Sequence, residues 1–306
     1  MKNAAIIGTG TMGPGIAATL ARGGMNVACY DTSEAAREKT PGDAAIAQSV
    51  LDRIGGPAAP TPGKVSVHGN LAEALADVDL VIEAVPENAD IKAAVFADLD
   101  RLTKPDVILA SNTSGIPITK IQQSVADPGR VVGMHWSNPP HVIPVIEIIA
   151  GEQTSPEVVT RLRQLVTDLG LVPVTVLRDV PGFVENRVLY AIMRECLSLV
   201  DNGVVSSEDL DTCVQWGIGF KLAVIPPLQL LDVAGLDIYH AVASYLNADL
   251  DDRSDVSEAI VSRIDKGELG MKTGKGLFDY TPEQAAALRQ ARAQQLVAVR
   301  RALSES

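Results

Sequence analysis

Residues 4–13 read Ala4-Ala5-Ile6-Ile7-Gly8-Thr9-Gly10-Thr11-Met12-Gly13: a short apolar run, a G-x-G-x-x-G loop, and then helical patterning over Gly13–Arg22. A strand that runs into a glycine loop opening a helix is the context in which this motif binds a dinucleotide. Gly8 permits the tight turn, Gly10 lets the backbone approach a pyrophosphate, and Gly13 allows close helix–strand packing. Thr11 and Met12 complete the loop. The pyrophosphate's charge is favoured at the helix N-terminus, where unpaired N–H groups converge. The second strand, Val27–Tyr30, ends at Asp31, 23 residues after Gly8. A carboxylate there accepts from a ribose 2′-hydroxyl and repels a 2′-phosphate. Thr32 and Ser33 follow with no adjacent arginine, so the expected cofactor is NAD rather than NADP.

Outward from this loop, short apolar runs alternate with amphipathic stretches. Val65–His68, Leu80–Val85, Val107–Ala110, Val131–Met134, Val145–Ile149 and Val172–Leu177 read as further strands. Ile91–Leu102 and the run from Pro156 to about Leu169 read as helices. Ser33 is placed to cap a helix towards Ile54, with a break or re-entry expected near Pro41. Continuous apolar strands separated by helices predict a mostly parallel sheet covered on both faces. After Asp179-Val180-Pro181-Gly182-Phe183 the pattern turns helical. The helical runs are Val184–Val200, a segment capped by Ser206 or Ser207 through Val214, 228–233, 238–246, 256–264 and Gln284–Leu303. The fold class is therefore an α/β Rossmann-type domain over 1–179 followed by an all-α domain over 180–306.

A chain of 306 residues suits two such domains. Lys and Arg number 26 against 38 Asp and Glu, a net charge of −12. That argues against nucleic acid or an anionic membrane as the main partner, since both attract basic surfaces. Cys29, Cys196 and Cys213 form no CxxC pair and no metal-ligand spacing, so neither a metal site nor a disulfide framework is expected. Such cysteine usage suits the cytoplasm. No apolar run is long enough to span a membrane, and the start, MKNAAIIGTG, turns glycine-rich before a signal-peptide core could form.

Among four histidines, His68 and His240 lack supporting context. His135 lies in Gly133-Met134-His135-Trp136-Ser137-Asn138-Pro139-Pro140-His141, at a strand end, where doubly wound sheets place ligands. Glu147 follows 12 residues later inside the apolar run VIEIIA. So apolar a setting implies burial, and a buried carboxylate needs a partner. Paired with His135 it would make a general base whose imidazolium the carboxylate supports; the competing reading is a structural buried Glu. Ser111-Asn112-Thr113-Ser114 follows another strand, and Asn186 lies on the first helix of the second domain. Taken alone, these read as a helix cap and a solvated helix face.

Seven ordered blocks together resemble the 3-hydroxyacyl-CoA dehydrogenase family over essentially the whole chain: IIGTGTMGPGIA, IEAVPENADIK, SNTSGIPIT, GMHWSNPP, DVPGFVENRVL, NGVVSSEDLD and GMKTGKGLFDY. The resemblance implies an NAD-binding domain, a helical C-terminal domain that carries a homodimer contact, and an active site in the cleft between them. It also implies reversible hydride transfer between NAD and a hydroxyl/carbonyl pair. His135 matches the family's catalytic base and Glu147 its paired carboxylate. Ser114 and Asn186 match residues that hold the substrate oxygen, while Glu87, Lys92, Asn112 and Asn138 match residues lining the cofactor.

The chain departs from the family's common pattern in several places. HWSNP stands where acyl-CoA enzymes usually read HFFNP, Glu185 replaces a commonly apolar residue, and Val224-Ile225-Pro226-Pro227 stands for PMGP. The stretch after the second strand, where fatty-acid relatives carry a Lys-rich hairpin, has four basic residues (Arg37, Lys39, Arg53, Lys64) against four acidic ones (Glu34, Glu38, Asp43, Asp52). The departures look like those of family members acting on small non-CoA substrates, such as a formylpyridine carboxylate, L-carnitine or L-gulonate. Of the other readings, a non-catalytic NAD-binding relative is opposed by retention of His135 and Glu147. A β-hydroxyacid dehydrogenase would carry a catalytic lysine on the interdomain helix, where PGFVENRV has none.

Overall fold

The computed structural model describes residues 1–304. Eight strands form one sheet: β1 (Asn3–Ile7), β2 (Asn26–Tyr30), β3 (Val65–His68), β4 (Leu80–Glu83), β5 (Ile108–Ser111), β6 (Val131–Trp136), β7 (Val145–Ile149) and β8 (Val172–Val176). Between them run α1 (Gly13–Arg22), α2 (Glu34–Ile54), α3 (Leu71–Ala74), α4 (Ala89–Leu102), α5 (Ile118–Gln122) and α6 (Pro156–Asp168). The strand order is β3-β2-β1-β4-β5-β6-β7-β8. The chain leaves β1 towards β2 and later crosses back to lay β4 on its other side. The crevice at that switch point, outside the carboxyl ends of β1 and β4, is where doubly wound sheets bind ligands.

All neighbouring strands run parallel except β6 and β7. Only residues 137–144 join that pair, and a parallel return needs a dozen or more residues. Side chains alternate along each strand. Ala4 and Ile6 enter a core with Ile16 and Leu20 of α1 and Leu162 and Val166 of α6. Ala5 and Ile7 enter a second core with Phe96 and Leu99 of α4 and Ile118 and Ile121 of α5. Both faces are thus covered, which is why the strands read as unbroken apolar runs.

The break expected near Pro41 does not occur: α2 is continuous from Glu34 to Ile54 with Pro41 inside it. Proline there costs one hydrogen bond. The helix survives because Ser33 accepts from the amide of Ala36 at 3.3 Å, and Ala47 and Leu51 bury against Ala18 of α1. α3 and α5 are too short to show a helical period, and the sequence did not reveal them.

Contacts group Met1–Arg187 with Leu296–Arg301 as one unit, and Val188–Gln295 with the chain from Ala302 as another. The second is helical: most of α7 (Glu185–Asp201), then α8 (Ser207–Cys213), α9 (Phe220–Leu222), α10 (Pro227–Ala234), α11 (Leu236–Leu246), α12 (Glu258–Asp265) and the greater part of α13 (Pro282–Ser304). Ser206 is the residue that caps α8, accepting from the amide of Asp209 at 3.1 Å. Residues 180–187 side with the sheet because the amides of Val184 and Glu185 are tied to Glu147 on β7. Among the described residues, no single helix is long and apolar enough to cross a membrane.

Candidate active site

The glycine loop has the shape a dinucleotide requires. Gly8 has φ +99°, and a Cβ there would stand 2.6 Å from the carbonyl oxygen of Ala84. A Cβ on Gly13 would stand 2.3 Å from the oxygen of Gly8, whereas one on Gly10 would meet nothing within 4 Å. Packing therefore demands the outer two glycines, and the middle one faces the open space a pyrophosphate needs. The Asp31 carboxylate accepts from the amides of Thr9 and Ser33, each at 2.8 Å. Those bonds fix its orientation and leave further lone pairs for ribose hydroxyls. Arg37, six residues beyond Asp31, donates to the backbone oxygens of Asp31 (2.6 Å) and Thr32 (3.2 Å). A cation is thus present beside this corner, but it is held on the main chain.

The antiparallel pairing of β6 and β7 sets His135 directly opposite Glu147. Cross-strand neighbours lie close enough to touch. Here His135 Nδ1 meets a Glu147 oxygen at 2.8 Å, with His135 6% and Glu147 2% exposed. The second Glu147 oxygen accepts from the amides of Val184 (2.9 Å) and Glu185 (3.1 Å), at the start of α7. Burial pushes the Glu147 carboxyl up. The hydrogen bond from His135 and the amides of Glu185 and Val184 outweigh it, so the net direction is down and the group is ionised at neutral pH. Phe183 packs against the imidazole, ring centroids 6.2 Å apart, from a left-handed backbone position with φ +49°. Such strain costs about 1–3 kcal/mol and persists only where its surroundings enforce it.

Most of the other expected site residues are fixed by hydrogen bonds. Asn112 accepts from the amide of Trp136 at 2.8 Å, which ties the end of β5 to β6 beside His135. Asn186 donates to the backbone oxygen of Ser114 at 2.9 Å. Glu87 accepts from Thr113 Oγ1 (2.5 Å) and the amides of Ser114 (3.0 Å) and Gly115 (3.2 Å), so it anchors that loop. Lys92 differs from its expected place lining the cofactor. It is 1% exposed, with its ammonium on Glu83 (2.7 Å), Glu87 (3.4 Å) and the oxygen of Val85 (3.3 Å). Its charge is spent neutralising buried Glu83, so it acts behind the loop. Asn138 opens a cis peptide to Pro139 in the loop after β6. The ligating atoms of His135, Glu147 and Glu185 come within 4.8 Å of one another. His135 Nδ1 and both Glu147 oxygens are already committed to hydrogen bonds there.

Two family models divide the chain: the 3-hydroxyacyl-CoA dehydrogenase NAD-binding domain matches residues 3–180, and the C-terminal domain of the same enzymes matches residues 182–280. The chain belongs to the 3-hydroxyacyl-CoA dehydrogenase family. It is an NAD-dependent dehydrogenase acting on hydroxyl or carbonyl groups. Among its relatives is the 5-formyl-3-hydroxy-2-methylpyridine 4-carboxylate 5-dehydrogenase of Mesorhizobium japonicum, 55% identical over 99% of this chain and 98% of that one. A crystal structure of a dehydrogenase for the same compound, described as an NAD+-dependent dismutase, superposes with a TM-score of 0.97 at 54% identity, covering 99% of both chains. A probable 3-hydroxybutyryl-CoA dehydrogenase of Deinococcus radiodurans is 34% identical over 90% of this chain and 99% of its own.

Three residues of this dehydrogenase's site escaped the sequence reading. Glu83, 0% exposed, carries the same signal as Glu147, an acid inside an apolar run, and was passed over. It accepts from Lys92, from Ser111 Oγ (2.7 Å) and from the amide of Val85 (2.7 Å). Burial pushes its carboxyl up against the pull of Lys92. Ser137, which donates to the Glu185 carboxylate, shows in the sequence only as part of the altered HWSNP block, and Phe183, with its left-handed backbone, gives no local signal.

Proposed function

We propose that this chain oxidises a small non-CoA aldehyde of the formylpyridine carboxylate class with NAD. The observation that carries this reading is the 55% identity along the full length to an enzyme acting on such a compound. The local charge agrees: residues 34–64 hold four basic and four acidic side chains, little help to a CoA pyrophosphate and 3′-phosphate.

An aldehyde offers a hydroxyl only as its hydrate, so the group oxidised is one hydroxyl of the hydrate carbon, and the product is the carboxylic acid. NAD, when bound, takes up the hydride from that carbon. The proton chemistry falls to His135. Glu147 holds Nδ1, which leaves Nε2 to remove the hydroxyl proton, and the same carboxylate balances the imidazolium that forms. Ser114 and Asn186 hold the substrate oxygen. Asn186 spends one N–H on Ser114 and has a second to offer. Gly8, Gly10, Thr11, Met12, Gly13 and Asp31 would hold the adenosine diphosphate half of the cofactor. Asn112 and Asn138 would line it, and Glu87, paired with Lys92, fixes the loop at 113–115. This chemistry needs no metal ion.

The helical unit supports a homodimer. Helices α8 to α12 have no buried residue, and Trp216, Phe220, Leu228, Ile238 and Tyr245 are exposed. Apolar surface of this kind marks a protein interface, and a second copy of the chain is the occupant we infer. The three free cysteines fit the cytoplasmic setting that this reading assumes.

The test is a substrate panel followed by NADH absorbance: the formylpyridine carboxylate, acetoacetyl-CoA, L-carnitine and L-gulonate. Turnover of the formylpyridine is expected. Activity confined to the CoA ester would overturn the reading.

A further inference from the structure

Glu185 brings a second carboxylate to the site, and its surroundings define what it can recognise. It is the half-buried first residue of α7. Its amide is spent on Glu147, and its carboxylate accepts the hydroxyl proton of Ser137. A Glu185 oxygen lies within 4.8 Å of a His135 ring nitrogen and of a Glu147 oxygen. The carboxylate therefore lies beside the His135–Glu147 pair, on the side of the loop that follows β6.

A donor and acceptor count narrows the choice. Both Glu147 oxygens are occupied, one by His135 and one by two amides. Ser137 has a single proton and gives it to Glu185. Lys92, the buried cation of α4, is held by Glu83 and Glu87. Apart from the second N–H of Asn186, what Glu185 and Ser137 offer a ligand is lone pairs. A carboxylate with a hydroxyl oxygen beside it selects an N–H or O–H donor, a cationic one above all, and repels an anionic group.

We propose that Glu185, braced by Ser137, is the specificity-determining carboxylate of this enzyme, and that it accepts a hydrogen bond from a protonated ring nitrogen of a heteroaromatic aldehyde. The inference rests on the small-aldehyde reading above. In a 5-formylpyridine, one ring carbon separates the nitrogen from the carbon bearing the aldehyde. The N–H can thus face Glu185 while the hydrated aldehyde faces His135. A site built around such a bond discriminates against an analogue that lacks the donor, because the half-buried carboxylate then faces a C–H group instead of a hydrogen-bond partner.

The experiment compares the formylpyridine carboxylate with its carbocyclic analogue, in which C–H replaces the ring nitrogen, in wild type, Glu185→Ala, Glu185→Gln and Ser137→Ala. In wild type, kcat/KM should favour the pyridine by about 10²-fold or more. In Glu185→Ala the preference should shrink to within about fivefold, and in Ser137→Ala it should fall to an intermediate value. NADH fluorescence titration reports whether each variant keeps its fold. If Glu185→Ala loses NADH binding, Glu185→Gln decides, since it keeps the size and removes only the charge; its preference should drop by about tenfold. An equal loss on both substrates, or an unchanged preference, overturns the assignment of Glu185 alone. No turnover of the pyridine by wild type overturns the substrate reading and this inference with it.

Discussion

Replacing Glu147 by Gln removes one charge and almost no volume. The carboxylate has three partners, His135 Nδ1 at 2.8 Å and the amides of Val184 and Glu185 at 2.9 and 3.1 Å. The Gln oxygen can keep the two amides, but its NH2 group then faces Nδ1. That forces the imidazole into the tautomer with its proton on Nε2, where it cannot accept one from substrate. The countercharge disappears as well. At an effective dielectric of about 20, Coulomb's law gives ~6 kcal/mol for full charges at the observed 2.8 Å. Desolvating a pair that is 7% and 2% exposed offsets part of this, and we take ~3–4 kcal/mol as the net loss. Expressed in the barrier of the step that His135 assists, that is a fall in kcat of about 10²–10³-fold. NADH absorbance gives the rate, and NADH fluorescence titration should give an unchanged cofactor affinity, because the Gly8 loop and Asp31 are untouched. His135→Gln should cost about 10²-fold or more, and the double variant no more than the worse single, since the two residues act as a unit. A kcat for Glu147→Gln within about threefold of wild type, or losses that multiply in the double variant, would refute the reasoning.

Lys92→Met strands the Glu83 carboxylate in the core and should destabilise the protein by ~3–5 kcal/mol in guanidinium unfolding; the added Glu83→Gln change should recover part of that, and a loss below ~1 kcal/mol would show the pair to be energetically idle. Gly8→Ala should lower stability and abolish NADH binding together, through its positive φ and the 2.6 Å approach to Ala84. Gly10→Ala should weaken NADH binding while guanidinium unfolding stays at the wild-type midpoint, because its Cβ enters open space. The carboxyls of Glu147, Asp79 and Asp100 all lie below their ordinary values; in each, burial pulls upward and hydrogen bonds, from His135, the Lys2 and Asn3 amides, and the Ala126 amide with Arg130 respectively, prevail. A lowered folded pKa stabilises above the unfolded value of about 4 and is lost as pH falls through the folded one, so guanidinium stability should drop below pH ~4, where these three carboxylates protonate; a profile flat from pH ~5 down to pH ~3 contradicts this.

Much of the first unit was legible because it is written locally. All eight strands announce themselves as apolar runs, and the Gly8–Gly13 loop and Asp31 form a spaced motif whose demands are satisfied within one βαβ segment. Pro41 misled because a local helix breaker was overridden by packing against α1. Glu87 and Lys92 are named by the family resemblance, but their pairing with Glu83 is not. Which carboxylate a buried lysine neutralises depends on strand neighbours that pattern does not specify.

The sequence by itself determined the succession of strands, the dinucleotide loop with its preference for NAD, and the candidacy of His135 and Glu147. It could do so because strand and helix periods and turn glycines act over a few residues. The tertiary structure alone decided that β6 and β7 run antiparallel, so that His135 and Glu147 face each other. It alone brought the first amides of α7 to that carboxylate, Asn186 to Ser114, and Glu185 to Ser137. Those contacts join residues 37 to 72 positions apart, except the pair across β6 and β7, and no local preference encodes which distant partners a twisted open sheet and the start of α7 will bring together.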